Sequence, residues 1–146
     1  MRLYTIGFTQ KTAETFFGIL RRNQVARLVD IRLNPDGQLS AFARREDLPY
    51  FLFRLVDGCR YEHNLDLAPT KEILNEYRST HDWNRYARQF EALLNERNVP
   101  EILDKISFET YASCLLCSEP TPNHCHRRLV AERLAACWPE VEIVHL

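Results

Sequence analysis

The stretch YASCLLCSEPTPNHCHRRLVAER, residues 111–133, decides how the rest of the chain is read. Its first seven residues, 111–117, carry no charge and are apolar enough for a strand buried on both faces. Ser118 and Glu119 then turn polar. Pro120 and Pro122 forbid a helix and stiffen the loop. Asn123 or His124 is placed to open the next helix, which runs over 126–137 with Val130, Leu134 and Cys137 facing inward. Cys125, His126, Arg127 and Arg128 fall at its first turn. A helix start offers unpaired N–H groups and a positive partial charge. Cations there oppose the macrodipole and weaken the helix, so a sequence that accepts them is arranged to hold an anion.

Upstream, strands and helices alternate. Residues 2–8 read as a first strand, followed by a helix capped by Thr9 or Thr12 with Phe16, Ile19 and Leu20 on its apolar stripe. Residues 26–33 form a second strand, closed by the turn Asn34-Pro35-Asp36-Gly37. Residues 38–45 read as an exposed loop with one aromatic, Phe42. A helix follows from Asp47 to Gly58, then a short third strand over 60–64. Thr70 caps a short helix, and a longer one spans 82–96 with Tyr86, Phe90, Leu93 and Leu94 on one face. Trp83, Tyr86 and Phe90 are assigned to the core. Residues 100–110 add a helical turn or two, and 142–146 close the chain as a strand. This pattern predicts an α/β domain over 1–146: a mostly parallel sheet of about five strands with helices on both faces, a Rossmann-like three-layer arrangement. The 111–117 strand should be central and parallel to the 26–33 strand.

Bulk properties narrow the function. A net charge of -1 gives no broad electrostatic surface for nucleic acid or membrane, while leaving room for a local basic pocket. The opening MRLYTIGF is too short and too soon polar for a signal peptide, and no apolar run approaches the roughly 20 residues that span a bilayer. Five cysteines, an odd number without a secretory signal, imply reduced thiols and a cytoplasmic setting.

In parallel sheets ligands bind beyond the carboxyl ends of the strands. Thr9, Asp30, Arg32, His63, Asn64, Ser118 and Glu119 all fall at those ends. Cys125, beside Arg127 and Arg128 at a helix start, is expected to ionise easily. Glu119 and His126 can act as base or acid. Arg127 is the better of the two arginines to face a pocket, whereas Arg128 can pair with Glu132 at i+4. Asp30 and Arg32 share a strand face and either pair with each other or serve a ligand. Cys114, Cys117, Cys125 and His126 have metal-like spacing. A strand would nevertheless put Cys114 and Cys117 on opposite faces, about 10 Å apart at about 3.3 Å per residue, which argues against a complete structural zinc site.

With those residues identified, the chain resembles the family described as domain of unknown function 488. Leu3-Tyr4-Thr5-Ile6-Gly7 resembles the family's Y-T-I-G start, and Leu28-Val29-Asp30-Ile31-Arg32 with Pro35 its V-D-V-R-x-x-P. Phe42 matches an aromatic in the following loop. Cys117-Ser118-Glu119 and Cys125-His126-Arg127 are similar to its C-x-E and C-H-R signature. The resemblance implies characteristic polar positions at Asp30, Arg32, Glu119, Cys125, His126 and Arg127. Two departures stand out. Phe8-Thr9 replaces the family's His-Ser, and Leu65-Asp66-Leu67-Ala68 replaces a Leu-Gly-Gly.

The leading reading is an enzyme acting on a phosphate-bearing or otherwise anionic substrate, such as a nucleotide or nucleic-acid end, with the cofactor left open. Arg127, Arg32 and Thr9 would hold the anion, and Glu119, Asp30, Cys125 and His126 would carry the chemistry. Two alternatives use the same rim: a non-catalytic module for an anionic ligand or partner, and a metal- or redox-responsive protein built on Cys117, Cys125 and His126.

Overall fold

The computed structural model describes all of residues 1–146. Five strands form one sheet: β1 (Arg2–Gly7), β2 (Arg27–Asp30), β3 (Arg60–His63), β4 (Ser113–Cys117) and β5 (Glu142–His145). Every pairing is parallel, in the order β3-β2-β4-β1-β5. β4 therefore lies in the middle, hydrogen-bonded to β1 and β2, as its uncharged sequence predicts. All five of its residues are buried, which is why no charge is tolerated there.

Six helices cover the sheet: α1 (Ala13–Arg22), α2 (Leu48–Leu55), α3 (Lys71–Thr80), α4 (Trp83–Glu96), α5 (Lys105–Thr110) and α6 (His126–Cys137). Four have side-chain caps where the sequence offers Thr or Asp. Thr12 and Thr70 accept from the N–H groups of Thr15 and Ile73, and Asp82 and Asp104 from those of Arg85 and Ser107. The period-2 alternation of the strands sends side chains to two cores. Tyr4, Ile6, Leu28, Cys114 and Leu116 pack under α1 and α2 with Phe16, Leu20 and Leu52. Leu3, Val29 and Leu115 pack on the opposite face with Phe90, Leu94, Phe108, Val130 and Leu134 from α4, α5 and α6. No helix is long and apolar enough to cross a membrane.

Three local expectations are corrected. Segment 38–45 is not a simple exposed loop. It coils into 3-10 turns over Gln38–Ala43 that bury Ser40 and Ala43, and Phe42 joins an edge-packed aromatic cluster with Phe8, Phe16 and Phe17. Cys137 is exposed, because α6 ends there and Trp138 turns inward against Phe108 instead. β2 stops at Asp30, three residues early, where the carboxylate of Asp30 captures the backbone N–H of Arg32.

The two cores also set the exits of the chain. After β2 the backbone leaves toward α2, and after β4 it leaves toward α6, on the other face. Neighbouring strands whose connections diverge leave a crevice at their carboxyl ends.

Candidate functional site

That crevice is a cleft of about 210 Å³. Arg32, Leu33 and Asn34 form one wall, α3 and α4 the opposite one through Tyr77, Arg78 and Tyr86, and the loop after β4 the third. Cys117, Cys125 and His126 lie at its base, 5%, 2% and 7% exposed. Their ligating atoms all fall within 4.8 Å of one another. The strand geometry anticipated for Cys114 holds: it points to the α1–α2 core and takes no part.

His126 is held by a contact that the sequence does not announce. Its Nε2–H donates to the carbonyl of Ile31 at 2.7 Å, tying the start of α6 to the residue that follows β2. In the neutral ring this fixes the proton on Nε2 and leaves Nδ1 as the free nitrogen. Nδ1 sits 3.4 Å from Cys117 Sγ. The ring edge rests on Phe90, 5.4 Å between centroids.

The two thiols are linked to each other, Cys117 lowered and Cys125 raised by the hydrogen bond they share. The hydrogen bond from the Cys125 thiol holds Cys117 down, aided by the N–H groups of Ser118 and Glu119 and the charge of Arg127, against the effect of burial. Cys125 is pushed up by that same hydrogen bond and then by burial. It is the N-cap residue of α6, but its side chain caps no N–H; it turns down onto Cys117 instead. Tyr86, above the cluster, is pushed up by burial and then by the adjacent thiols, so its phenol keeps its proton.

The arginines are also redistributed. Arg127 was expected to face the pocket. It is instead fully buried and lies across β1, with Nε donating to Thr5 Oγ1 at 3.3 Å and Nη1 to the Glu119 carbonyl and Cys125 Sγ. Its Nη2 has no partner. Gly7 makes this crossing possible: a Cβ there would lie 1.6 Å from the Glu119 carbonyl oxygen and 3.0 Å from Arg127 Nη1. Arg128 pairs with Glu132 at 3.3 Å, as the i+4 spacing predicts.

Asp30 and Arg32, candidates for catalysis and for anion binding, engage each other. Arg32 Nε and Nη2 donate to the two carboxylate oxygens at 2.8 and 2.7 Å, and Tyr61 donates to the same carboxylate at 2.6 Å. Arg32 also donates to the Ala43 carbonyl, and its guanidinium lies over the Phe8 ring. Asp30 is wholly buried and has no oxygen left for proton transfer in the cleft. Thr9 donates its hydroxyl to the Ser118 carbonyl at 2.6 Å, pinning the loop rather than facing the cleft. Of the predicted residues, Arg32, Glu119, Cys125 and His126 line the cleft, with the Arg32 guanidinium committed to Asp30 and Glu119 exposed at the mouth.

Among the lining residues to which the sequence assigns no site role, two bear on the chemistry. Arg78 brings an exposed cation to the mouth, and Tyr86, read only as core, also presents its side chain to the cleft. The spacing of Leu74, Tyr77 and Arg78 on α3 puts that cation beside an apolar face, which is the one signal that could have found it.

The class defined here is a parallel α/β protein with a cluster of two thiols and an imidazole at the base of a cleft between diverging strands. The family model described as "Domain of unknown function DUF488" matches residues 12–134, and the chain belongs to that family. The match takes in every residue lining the cleft. No curated protein and no solved structure matches the chain.

Proposed function

We propose that this protein is an enzyme that acts on a small phosphate-bearing or otherwise anionic substrate in the cleft between β2 and β4. The observation that carries this reading is the convergence of Cys117, Cys125 and His126 at the base of a cleft with a cation, Arg78, and a carboxylate, Glu119, at its mouth. Arg78 attracts the anion, and the N-terminus of α6, which opens on the cleft at Cys125, adds its dipole. Glu119 is placed to exchange a proton with bound substrate, and the reacting atom lies over Cys117 and His126. A nucleotide or nucleic-acid end suits this chemistry. A duplex does not fit a space of this size.

Binding without turnover is the second reading. It is favoured by Phe8, which occupies the position of the family's histidine and is buried under Phe42 and Arg32.

The test is calorimetric titration of inorganic phosphate and adenosine monophosphate into the reduced protein at low salt. Saturable binding that weakens with added salt and falls several-fold in Arg78→Ala supports the proposal. No binding of either probe, or equal affinity in Arg78→Ala, overturns it. Phosphate release from the nucleotide would separate enzyme from binding module.

A further inference from the structure

We infer that Cys117, Cys125 and His126 form a three-ligand site for one borderline-soft divalent metal, zinc foremost, with its fourth position open to the cleft. This rests on the reading of the cleft as the reacting site and supplies its reactive centre. The separations suit the ion. Tetrahedral zinc with bonds of about 2.3 Å to sulfur and about 2.0 Å to nitrogen needs ligand atoms about 3.3–3.8 Å apart. Cys117 Sγ and His126 Nδ1, 3.4 Å apart, already meet that spacing, and the three donor atoms lie within 4.8 Å of one another, so the ion draws the set together by up to about 1 Å.

The orientation of His126 is an independent argument. A ligating histidine characteristically donates its other N–H to a carbonyl or carboxylate, which fixes the tautomer and aims the lone pair. The bond from Nε2 to the Ile31 carbonyl at 2.7 Å fixes that tautomer and leaves Nδ1 without a proton; Cys117 Sγ stands beside the ring, 3.4 Å from Nδ1 and 3.9 Å from Nε2, so the ring turns to bring the Nδ1 lone pair onto an ion. Two sulfurs and an imidazole are soft donors, which select zinc, copper or iron over magnesium and calcium.

The count of ligands says what kind of site it is. Structural zinc sites close with four protein ligands, whereas catalytic ones keep three and leave one position for water or substrate. No carboxylate and no further cysteine joins the cluster: Glu119 is not within the group, and Cys114 faces the other core. All three donors line the cleft, so the remaining position faces the space where an anionic oxygen would sit. Arg127, buried without a carboxylate partner and donating to Cys125 Sγ, helps balance two thiolates in so dry a setting.

The test uses the full chain, reduced and stripped with a chelator, then titrated with zinc chloride and separately with cobalt chloride. The inference expects close to one metal per chain, and for cobalt a sulfur-to-metal charge-transfer band with the intense visible bands of tetrahedral geometry. Cys117→Ser, Cys125→Ser and His126→Gln should each weaken binding at least about ten-fold, while Cys137→Ser leaves it unchanged. Absence of the charge-transfer band in wild-type protein overturns the inference, whatever the variants do. So does zinc affinity equal in wild type and in a folded Cys125→Ser. Phosphate titration with and without zinc separates the two proposals. Equal phosphate affinity with and without metal leaves the anion cleft standing and removes the metal from it. One zinc per chain with no phosphate binding in either form overturns the anion reading and the open-position claim together, and leaves a structural metal.

Discussion

Two buried arginines at the same rim of the sheet are held in opposite ways. Arg32, 5% exposed, is matched by Asp30 through two charged hydrogen bonds, and Tyr61 closes the far side of that carboxylate. Arg127 is more deeply buried and has no carboxylate at all. Its partners are a hydroxyl, a carbonyl and a thiol, and one nitrogen is left without any. The first is a neutral unit that shapes the end of β2. The second is an uncompensated charge, and the nearest groups able to balance it are the thiols of Cys117 and Cys125. A closed pair builds scaffold, and an open charge next to ionisable groups builds a site.

The comparison can be broken by mutation. Asp30→Ala removes only one partner and strands Arg32 in a dry interior. Denaturant unfolding should show a loss of about 3–5 kcal/mol. The double variant Asp30→Leu/Arg32→Met should recover most of that loss, because a matched pair replaced by apolar groups leaves no orphan charge. If the single and double variants are equally unstable, the pair does not form a self-contained unit. Arg127→Met should lose less, about 1–3 kcal/mol, from the donors withdrawn from Glu119 and Thr5. A loss as large as that of Asp30→Ala would mean that Arg127 has a strong anionic partner in solution, and the contrast between the two arginines would fail.

The closed face of the sheet makes a further prediction through its own thiol. Burial pushes Cys59 up to about 12. The unfolded chain therefore releases this proton first, so the contribution of Cys59 is complete below about pH 9 and declines as the pH rises toward 12. Between pH 8 and pH 10 wild type should lose about 1 kcal/mol more than Cys59→Ala in the same unfolding assay. Parallel pH profiles for the two would place Cys59 in a wetter setting than the structure gives it. The smallest effect belongs to Arg128→Ala. Its pair with Glu132 is on the surface, and stability should change by less than about 0.5 kcal/mol.

Much of the fold was legible because it rests on short-range signals. An uncharged seven-residue run marked the central strand, threonines marked two helix starts, and the two-residue period separated Cys114 from Cys117. The site was legible by membership but not by role. Nothing local shows that the Cys125 side chain turns back onto Cys117, because that depends on how the 118–125 loop crosses β1. The same crossing sends Arg127 underneath α6 rather than into the cleft. Arg78 and Tyr86 escaped because they enter from α3 and α4, whose position over the rim is set by the packing of α3 on α4 and of α4 on α6 and not by any local motif. Cys137 was misplaced by one residue at a helix end, where the 3.6-residue period gives way to the turn into Trp138.

The central position of β4 has a consequence for assembly. β1 and β2 are neighbours in sequence but not in space, since β4 lies between them. Until residues 113–117 arrive, the first three strands have no continuous sheet to join: β2 can pair with β3, but β1 has no partner on either side. Contacts of such long sequence separation form slowly, because the intervening chain must be closed into a loop first. A fragment ending at residue 110 should therefore lack cooperative unfolding by circular dichroism. In the whole chain, the strand that delivers Cys117 is also the one that locks the sheet, so the cleft and the native fold arrive in a single late event.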